Sequence, residues 1–258
     1  MDYEKNKLSI IMPALNEEAN IRDAVSSTLK ALGLFKINGE IVIVNDGSTD
    51  RTGALAEEIS REYPGRVSVI NHDKPKGIGA SFWEGVDSAK GDAIVMVPGD
   101  NENDPQEVFR YYKLLEQVDI VIPFIFNRET RPLFRNVLSL LYRFIINTTF
   151  LVNFNYTNGT ILYRRSILWG IDERSSGFFF QTDILIRTVK RGYLFAEVPY
   201  KIGLRKYGAS KAVSFPAFLK VVRGYARLVI DHYFTKSAKG GQGFAKDSLT
   251  DLRRSNKG

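Results

Sequence analysis

Short apolar segments alternate with amphipathic segments through the first hundred residues. Residues 8–13, 41–45, 67–71 and 93–97 are nearly continuous apolar or β-branched runs, as is typical of parallel strands covered on both faces. Between them, residues 17–32, 51–63 and 78–89 have apolar positions at helical spacing, and we expect Asn16 to cap the first of these helices. This alternation predicts right-handed βαβ units and a ligand site at the carboxyl ends of the strands.

The second half of the chain predicts a more mixed set of elements. We expect strands at 119–123, within 155–163 and at 193–198, and helices at 133–151, 181–191 and 215–234. The helix at 133–151 is amphipathic, with one polar stripe formed by Arg135, Ser139, Arg143 and Asn147. Two interpretations stay open, a core helix with a solvated face and a helix that lies on a membrane and offers cations to lipid phosphate.

Polar residues follow each of the first four predicted strands. They are Asn16 and Glu17, then residues 46–50, 73–79 and 100–104. Any one loop is an ordinary turn, and Asp46 alone could be a turn or cap residue, but their coincidence at one sheet edge predicts a site. The loop Lys76-Gly77-Ile78-Gly79 resembles a phosphate-binding glycine loop, although it is neither a Walker A loop nor a dinucleotide fingerprint.

The acidic loop after the fourth strand predicts a cation site. Asp100 and Glu102 are two positions apart, so in an extended segment both carboxylates point to the same side and can share Mg²⁺ or Mn²⁺. The alternative is a solvated acidic turn before a helix that begins near Pro105. The pattern alone does not decide between these two interpretations.

Composition and charge narrow the class of protein. The 258 residues are 44% hydrophobic, which is enough for a substantial core, and they contain no cysteine, which excludes disulfides and thiolate metal sites. The net charge of +7, with its excess after residue 127, favours an anionic partner. We expect no nucleic-acid binding, because no such motif is present, and no histidine-based zinc site or nucleophile, because the two histidines are far apart. No apolar run is long enough to span a bilayer, and the charged N-terminus lacks a signal-peptide core, so we expect a cytoplasmic protein.

Taken together, the loop motifs resemble family 2 glycosyltransferases of the GT-A fold, and within them the dolichyl-phosphate mannose synthase and polyprenyl-phosphate glycosyltransferase group. The resemblance covers about residues 7–212. The residues that carry it are Pro13-Ala14-Leu15-Asn16-Glu17, Val44-Asn45-Asp46-Gly47-Ser48-Thr49-Asp50, Lys76-Gly77-Ile78-Gly79, Asp100, Glu197-Val198-Pro199 and Arg205 to Lys211.

The resemblance implies an α/β fold with a Rossmann-like, mostly parallel sheet flanked by helices, and amphipathic membrane-associating helices in the C-terminal half. We expect a glycosyltransferase domain at 1–212, which includes the amphipathic helix at about 131–151. A second amphipathic helix is expected at 213–235. The polar segment 236–258, rich in Gly, Ser, Lys and Arg, is expected to be a disordered tail.

The resemblance also assigns site residues, all read from this sequence. It implies a nucleoside pocket lined by Pro13, Leu15, Glu17, Val44 and Asp46. The remaining donor-binding residues would be Lys76, Pro98, Gly99, Asp100, Glu102, Arg128, Arg205 and Lys211. Of these, Asp100 and Glu102 would bind the metal. Arg128, Arg205 and Lys211 would neutralise phosphates. Acceptor phosphate would contact Arg135 and Ser139, and the catalytic residues would be Asp100, Asp183 and Arg205.

The family usually has Asp-Xaa-Asp in the acidic loop, whereas the first of these positions is Pro98 here, which cannot bind a metal. Asp183 aligns with a position that can act as a general base for hydroxyl acceptors; an ionised lipid phosphate needs no base, and Asp183 could also orient the donor or a cation, or cap the helix after Gln181.

We expect an inverting transfer of a hexose from a GDP- or UDP-sugar to a polyprenyl or dolichyl phosphate at the cytoplasmic membrane face. The alternatives are transfer to a saccharide hydroxyl in cell-surface polysaccharide synthesis, and a catalytically weak protein that only binds nucleotide-sugars.

Overall fold

The computed structural model describes residues 7–127, 133–201, 215–235 and 243–255. Strands and helices alternate in its first part, as the sequence predicts. Residues 8–14, 39–45 and 93–96 are buried throughout, whereas only Val67 is buried in the run 67–71. The elements are β1 (Leu8–Ala14), α1 (Ile21–Leu34), β2 (Gly39–Asn45), α2 (Thr52–Glu62), β3 (Val67–Asn71), α3 (Ile78–Ser88) and β4 (Ala93–Met96).

The later elements place short strands between longer helices. They are α4 (Pro105–Phe109), a 3₁₀ turn (Tyr112–Glu116), β5 (Ile120–Ile125), α5 (Leu133–Phe150), β6 (Leu162–Arg164), α6 (Arg165–Trp169), α7 (Phe180–Arg191), β7 (Phe195–Tyr200), α8 (Phe215–Phe234) and α9 (Leu249–Ser255). No helix among the described residues combines the length and apolarity that a membrane span requires.

The strands form one sheet with the order β3-β2-β1-β4-β6-β5-β7. The pairs β1/β2, β2/β3, β1/β4 and β5/β7 are parallel, while β6 is antiparallel to both β4 and β5. The predicted α/β fold with a mostly parallel sheet is therefore confirmed. Because β1 to β4 run in the same direction, their carboxyl ends lie at one edge of the sheet.

The core has a layer on each face of the sheet. Ile10 and Met12 of β1 pack into the layer that contains α1, whereas Ile11 points to the opposite layer, which contains α3 and α7. All seven β1 residues are buried. A central strand covered on both faces explains why its sequence is almost continuously apolar.

The C-terminal segment differs from the expected disordered tail. Residues 243–255 are described, and α9 lies among them with Leu249 and Thr250 buried. The expectation of disorder is wrong for this part because Asp119, fully buried before β5, accepts hydrogen bonds from Leu249 N–H (2.7 Å), Thr250 N–H (3.2 Å) and Thr250 Oγ1 (2.5 Å). Long-range polar contacts fix the segment together with buried Leu249 and the packing of Phe244 against Tyr193.

Candidate active site at the carboxyl edge of the sheet

Backbone hydrogen bonds continue beyond the strand ends and connect the loops at the carboxyl edge. The N–H of Asp46 donates to Ala14 O (2.9 Å), that of Gly99 to Pro13 O (3.0 Å), and that of His72 to Asn45 O (2.9 Å). The loops after β1, β2, β3 and β4 therefore meet at one place. The fold thus brings Pro13, Asp46 and Gly99 to the same edge of the sheet.

The loop after β1 is fastened to the loop after β2 by side chains. Asn16 Oδ1 accepts from Thr49 N–H (2.8 Å), and Glu17 N–H donates to Thr52 Oγ1 (2.7 Å). Asn16 has φ 57°, and α1 begins at Ile21 behind Asn20. The prediction that Asn16 caps the first helix is therefore wrong, because its side chain stabilises the adjacent loop instead. Glu17, predicted to line the nucleoside pocket, lies in this fastened pair of loops.

Asp46, one of the predicted donor-binding residues, has several hydrogen-bond partners. It is 4% exposed. Its Oδ1 accepts from Lys76 N–H (2.8 Å) and faces His72 Nδ1 (2.8 Å), and its Oδ2 accepts from Gly77 N–H (2.9 Å). A buried carboxylate is stabilised by several donors of this kind. The loop after β3 thus fixes the orientation of Asp46.

The glycine loop packs closely against the segment that precedes α7. A Cβ at Gly79 would lie 2.3 Å from Ser175 O, and Gly79 N–H donates to Ser176 O (2.9 Å). Gly77 has φ +105°, which favours glycine. The backbone amides of Lys76, Gly77 and Gly79 thus donate to acceptors within the protein. They are therefore not available to bind a phosphate, although the loop resembles a phosphate-binding loop in sequence.

The side chain of Lys76, predicted to bind the donor, contacts Glu84 on α3 at 2.8 Å. Lys76 lowers the pKa of Glu84 through this hydrogen bond, and His72 adds to the effect. Glu84 Oε2 lies 2.7 Å from His72 Nε2. Lys76 therefore belongs to the same group of charges as Asp46 at this edge of the sheet.

The acidic loop lies beside β1. Asp100 Oδ1 accepts from Glu102 N–H (3.1 Å), and Asp104 caps α4 through Gln106 N–H (2.9 Å). A Cβ at Gly99 would lie 2.9 Å from Ile21 Cδ1. The loop at Pro98 and Gly99 therefore packs closely against the first residue of α1.

No group of three or more His, Cys, Asp or Glu residues suited to a metal occurs within the described part of the chain. Mg²⁺ is commonly bound by one or two carboxylates together with substrate phosphates and water. The segment 100–102 is not extended as expected, because Asn101 has φ 55° and Glu102 N–H donates to Asp100 Oδ1, so the predicted same-side spacing of the two carboxylates is wrong. Asp100 and Glu102, on one loop at the carboxyl edge, still supply the one or two carboxylates that this mode of binding needs.

Asp183 lies on α7 and is connected to α8 through Arg187. Its Oδ1 accepts from Arg187 Nε (2.8 Å), and Arg187 Nη2 contacts Asp231 of α8 at 2.7 Å. Burial raises the pKa of Asp183 to about 6, which Arg187 partly opposes. The helix begins at Phe180 without a side-chain cap, so the interpretation of Asp183 as a cap is wrong. The catalytic role stays a prediction.

The amphipathic helix α5 contributes a small pocket near the end of β5. Ser139, predicted to contact acceptor phosphate, lines a cavity of about 20 Å³ whose walls are Ile125, Asn136, Leu140, Arg143, Asn155 and Tyr156. Arg143 Nη1 donates to Asn155 O at 3.4 Å, and Asn155 is fixed by Glu197, which accepts from its N–H (2.7 Å) and its Nδ2 (2.9 Å). Arg143 is a cation that the polar stripe contained but the predicted site set omitted.

Several predicted site residues fall outside this description. Arg128, Arg205 and Lys211 lie outside the described residues, and Arg135 lies in α5 with its side chain outside them. Leu15 and Val44 lie at the carboxyl edge, in the loop after β1 and at the end of β2. His72 was missed, because nothing in the sequence distinguishes it from an ordinary histidine after a strand.

Comparison with known proteins identifies the family. Residues 9–172 match the model of glycosyl transferase family 2. The chain therefore belongs to that family, and the predicted family resemblance is confirmed.

Two curated relatives and several solved structures show what the chain is similar to. It is 30% identical to a dolichol-phosphate mannosyltransferase of Pyrococcus furiosus over 80% of this chain and 59% of the relative, so it spans only about three fifths of that protein. It is 31% identical to a polyprenol monophosphomannose synthase of Mycolicibacterium smegmatis over 78% of this chain and 79% of the relative. Glucosyl-3-phosphoglycerate synthase from M. tuberculosis has the same fold, with a TM-score of 0.66 at 19% identity over 88% of this chain and 81% of that chain. The GT-A fold is confirmed.

Proposed function

We propose that this family 2 glycosyltransferase moves a hexose from a GDP- or UDP-sugar to a polyprenyl or dolichyl phosphate, with inversion at the anomeric carbon. The observation that carries the proposal is the pair of backbone hydrogen bonds from Asp46 to Ala14 and from Gly99 to Pro13, which joins the loop of Asp46 and the loop of Asp100 and Glu102 to β1 at one sheet edge. The two curated relatives, named for dolichol phosphate and polyprenol monophosphomannose, support the lipid acceptor.

The donor would lie across the carboxyl ends of β1, β2 and β4. The nucleoside would contact the loops of Glu17 and Asp46, while its diphosphate would face Asp100 and Glu102. Mg²⁺ or Mn²⁺ held by these carboxylates would neutralise the charge that the leaving diphosphate gains. A solved neighbour with this fold was crystallised with Mg²⁺ and uridine diphosphate, and another with Mn²⁺, which supports a divalent ion in this fold.

The acceptor would approach from the side of α5. A phosphate oxygen attacks the anomeric carbon, the bond from that carbon to the donor phosphate breaks, and the nucleoside diphosphate leaves with the electron pair. A lipid phosphate is already ionised, so no side chain needs to remove a proton. Ser139 and Arg143 line the pocket at the end of β5, and a guanidinium there is suited to an anionic acceptor.

We further propose that α5 lies on the cytoplasmic face of a membrane. Its C-terminal end is packed in the core through Ile146 and Phe150. Eight other apolar residues of the helix are exposed: Leu133, Phe134, Val137, Leu138, Leu140, Leu141, Phe144 and Ile145. Large exposed apolar surfaces on a helix are typical of interfacial binding. Exposed apolar residues on α8, among them Ile230 and Phe234, add to this surface.

A second acceptor class is supported by Asp183. A carboxyl group with a pKa of about 6 suits a general base, which a saccharide hydroxyl would need. The ion pair with Arg187 opposes this role, because it engages the carboxylate that would have to accept the proton.

The test uses sugar-labelled GDP- and UDP-hexoses with polyprenyl phosphate and Mn²⁺. We expect label in an organic-soluble, acid-labile product, and we expect Asp100→Asn to abolish it while the protein stays folded. Water-soluble glycosylated saccharide would instead favour the hydroxyl acceptor. Nucleotide binding without any turnover would refute transfer and leave a protein that only binds nucleotide-sugars.

A further inference from the structure

His72 connects two carboxylates on different elements. It follows β3, and its side chain is 1% exposed. Nδ1 lies 2.8 Å from Asp46 Oδ1 and Nε2 lies 2.7 Å from Glu84 Oε2. The imidazole thus bridges Asp46 and Glu84 through its two ring nitrogens, and a carboxylate oxygen is a suitable acceptor for a ring N–H.

The contacts around His72 form a closed network. Lys76 N–H donates to the same Asp46 oxygen that His72 contacts, and Lys76 Nζ contacts Glu84 Oε1 at 2.8 Å. We call Asp46, His72, Lys76 and Glu84 the edge network. It links the loop after β2, the loop after β3 and helix α3. Movement of any one member therefore changes the hydrogen bonds of Asp46.

Asp46 depends on this network more than on its own loop. Two of the three partners of its carboxylate are backbone amides in the loop after β3, and the third is the imidazole of His72. A buried carboxylate that loses a hydrogen-bond partner is left poorly compensated. The imidazole thus helps to fix the position of Asp46.

We propose that His72 is a positioning residue for the nucleotide-sugar donor, acting through Asp46 without touching the donor itself. The proposal rests on the proposed function, because it takes Asp46 to be part of the nucleoside pocket. The half-buried carboxylate of Glu84 supports this role by contacting the opposite nitrogen of the imidazole. Neither residue is expected to contact the acceptor.

The experiment compares three variants of the full chain by calorimetric titration with UDP and GDP in Mn²⁺. Loss of the imidazole contacts in His72→Gln is expected to weaken nucleotide binding about tenfold, and Glu84→Ala about threefold. The matched control is Glu57→Ala, because exposed Glu57 also binds a strand-end side chain, Asn71 Nδ2 at 2.8 Å, but not Asp46. Its binding should equal that of the wild type.

Steady-state kinetics then separate positioning from a general loss of structure. We expect the donor KM to rise in His72→Gln and Glu84→Ala while the acceptor KM and kcat stay within about twofold. If His72→Gln does not fold, Glu84→Ala decides, and binding equal to that of Glu57→Ala overturns the proposal. Wild-type protein that binds neither nucleotide refutes the proposed function itself; wild-type binding with unchanged variants refutes only the role of His72.

Discussion

Replacing Thr250 by Val should destabilise the protein by removing the polar contacts that fix the C-terminal segment. Thr250 Oγ1 donates to the buried carboxylate of Asp119 (2.5 Å) and accepts from Leu194 N–H (3.0 Å). Valine has nearly the same shape but makes neither contact. The change therefore isolates two hydrogen bonds with little loss of packing.

The expected magnitude follows from these two contacts. A hydrogen bond to a charged group contributes about 1.5–3 kcal/mol, and a partly buried N–H without a partner costs about 1–3 kcal/mol. Relaxation and water reduce the sum, so we expect the free energy of unfolding to fall by about 3 kcal/mol. For a chain of this size, that loss lowers the melting temperature by roughly 6–12 °C.

Urea unfolding monitored by circular dichroism measures this loss. The control is Thr250→Ser, which keeps the hydroxyl and should lose less than about 1 kcal/mol. A Thr250→Val protein as stable as Thr250→Ser would refute the reasoning, since the hydroxyl contacts to Asp119 would then contribute nothing. Residues 243–255 would in that case not be attached to the domain in solution.

Three further predictions concern charge, surface and acceptor. Burial raises the pKa of Asp183 from 3.8 to about 6, so ionisation of Asp183 destabilises the folded state. The free energy of unfolding of the wild type should therefore fall relative to that of Asp183→Asn as pH rises from about 4 to 6. Urea unfolding at both pH values measures this difference. Phe144→Ser, at a residue 66% exposed, should weaken binding to anionic vesicles roughly tenfold at unchanged stability, whereas Leu34→Ser, at 62%, should not; equal binding would refute an interfacial α5. Arg143→Gln should raise the KM for polyprenyl phosphate about tenfold and leave the donor KM unchanged, and a rise in donor KM alone would contradict its placement at the acceptor.

Local pattern was sufficient for the strands and most helices of the first half. The run Val67–Asn71 is observed with the predicted bounds although only Val67 is buried, because its β-branched residues favour a strand. Asn16 shows the limit of this reasoning. A short polar residue before a helical pattern can cap the helix or bind the neighbouring loop, and the contact with Thr49, 33 positions away, decides the outcome.

The amphipathic helix shows a different limit. Its sequence gives one apolar and one polar face, but not which face meets the protein. In the structure, Phe134 and Phe144 are exposed while Ser139 and Arg143 line a pocket with the loop of Asn155. The orientation depends on tertiary contacts that periodicity does not encode.

The contacts of His72 and Asp119 could not be predicted from the sequence, for the same reason in both cases. Each gains its importance from partners distant in sequence: His72 from Asp46 and Asp119 from Thr250, which are 26 and 131 positions away. A single polar residue next to a strand carries no signal of such a partner. The prediction of a disordered tail was wrong for residues 243–255 for the same reason, because the partners of this segment are distant in sequence.

The reversed direction of β6 separates the two halves of the site along the chain. Because β6 is antiparallel to β4, the chain enters β6 at the edge where β4 exits, and this places the segment with Asn155 and Tyr156 at that edge. The loops proposed to bind the donor follow strands that end before residue 105, whereas the pocket proposed for the acceptor is formed by α5 and the segment before β6. Evolution can therefore lengthen or rewrite the segment before β6 to accommodate a new acceptor while the nucleotide side is inherited intact.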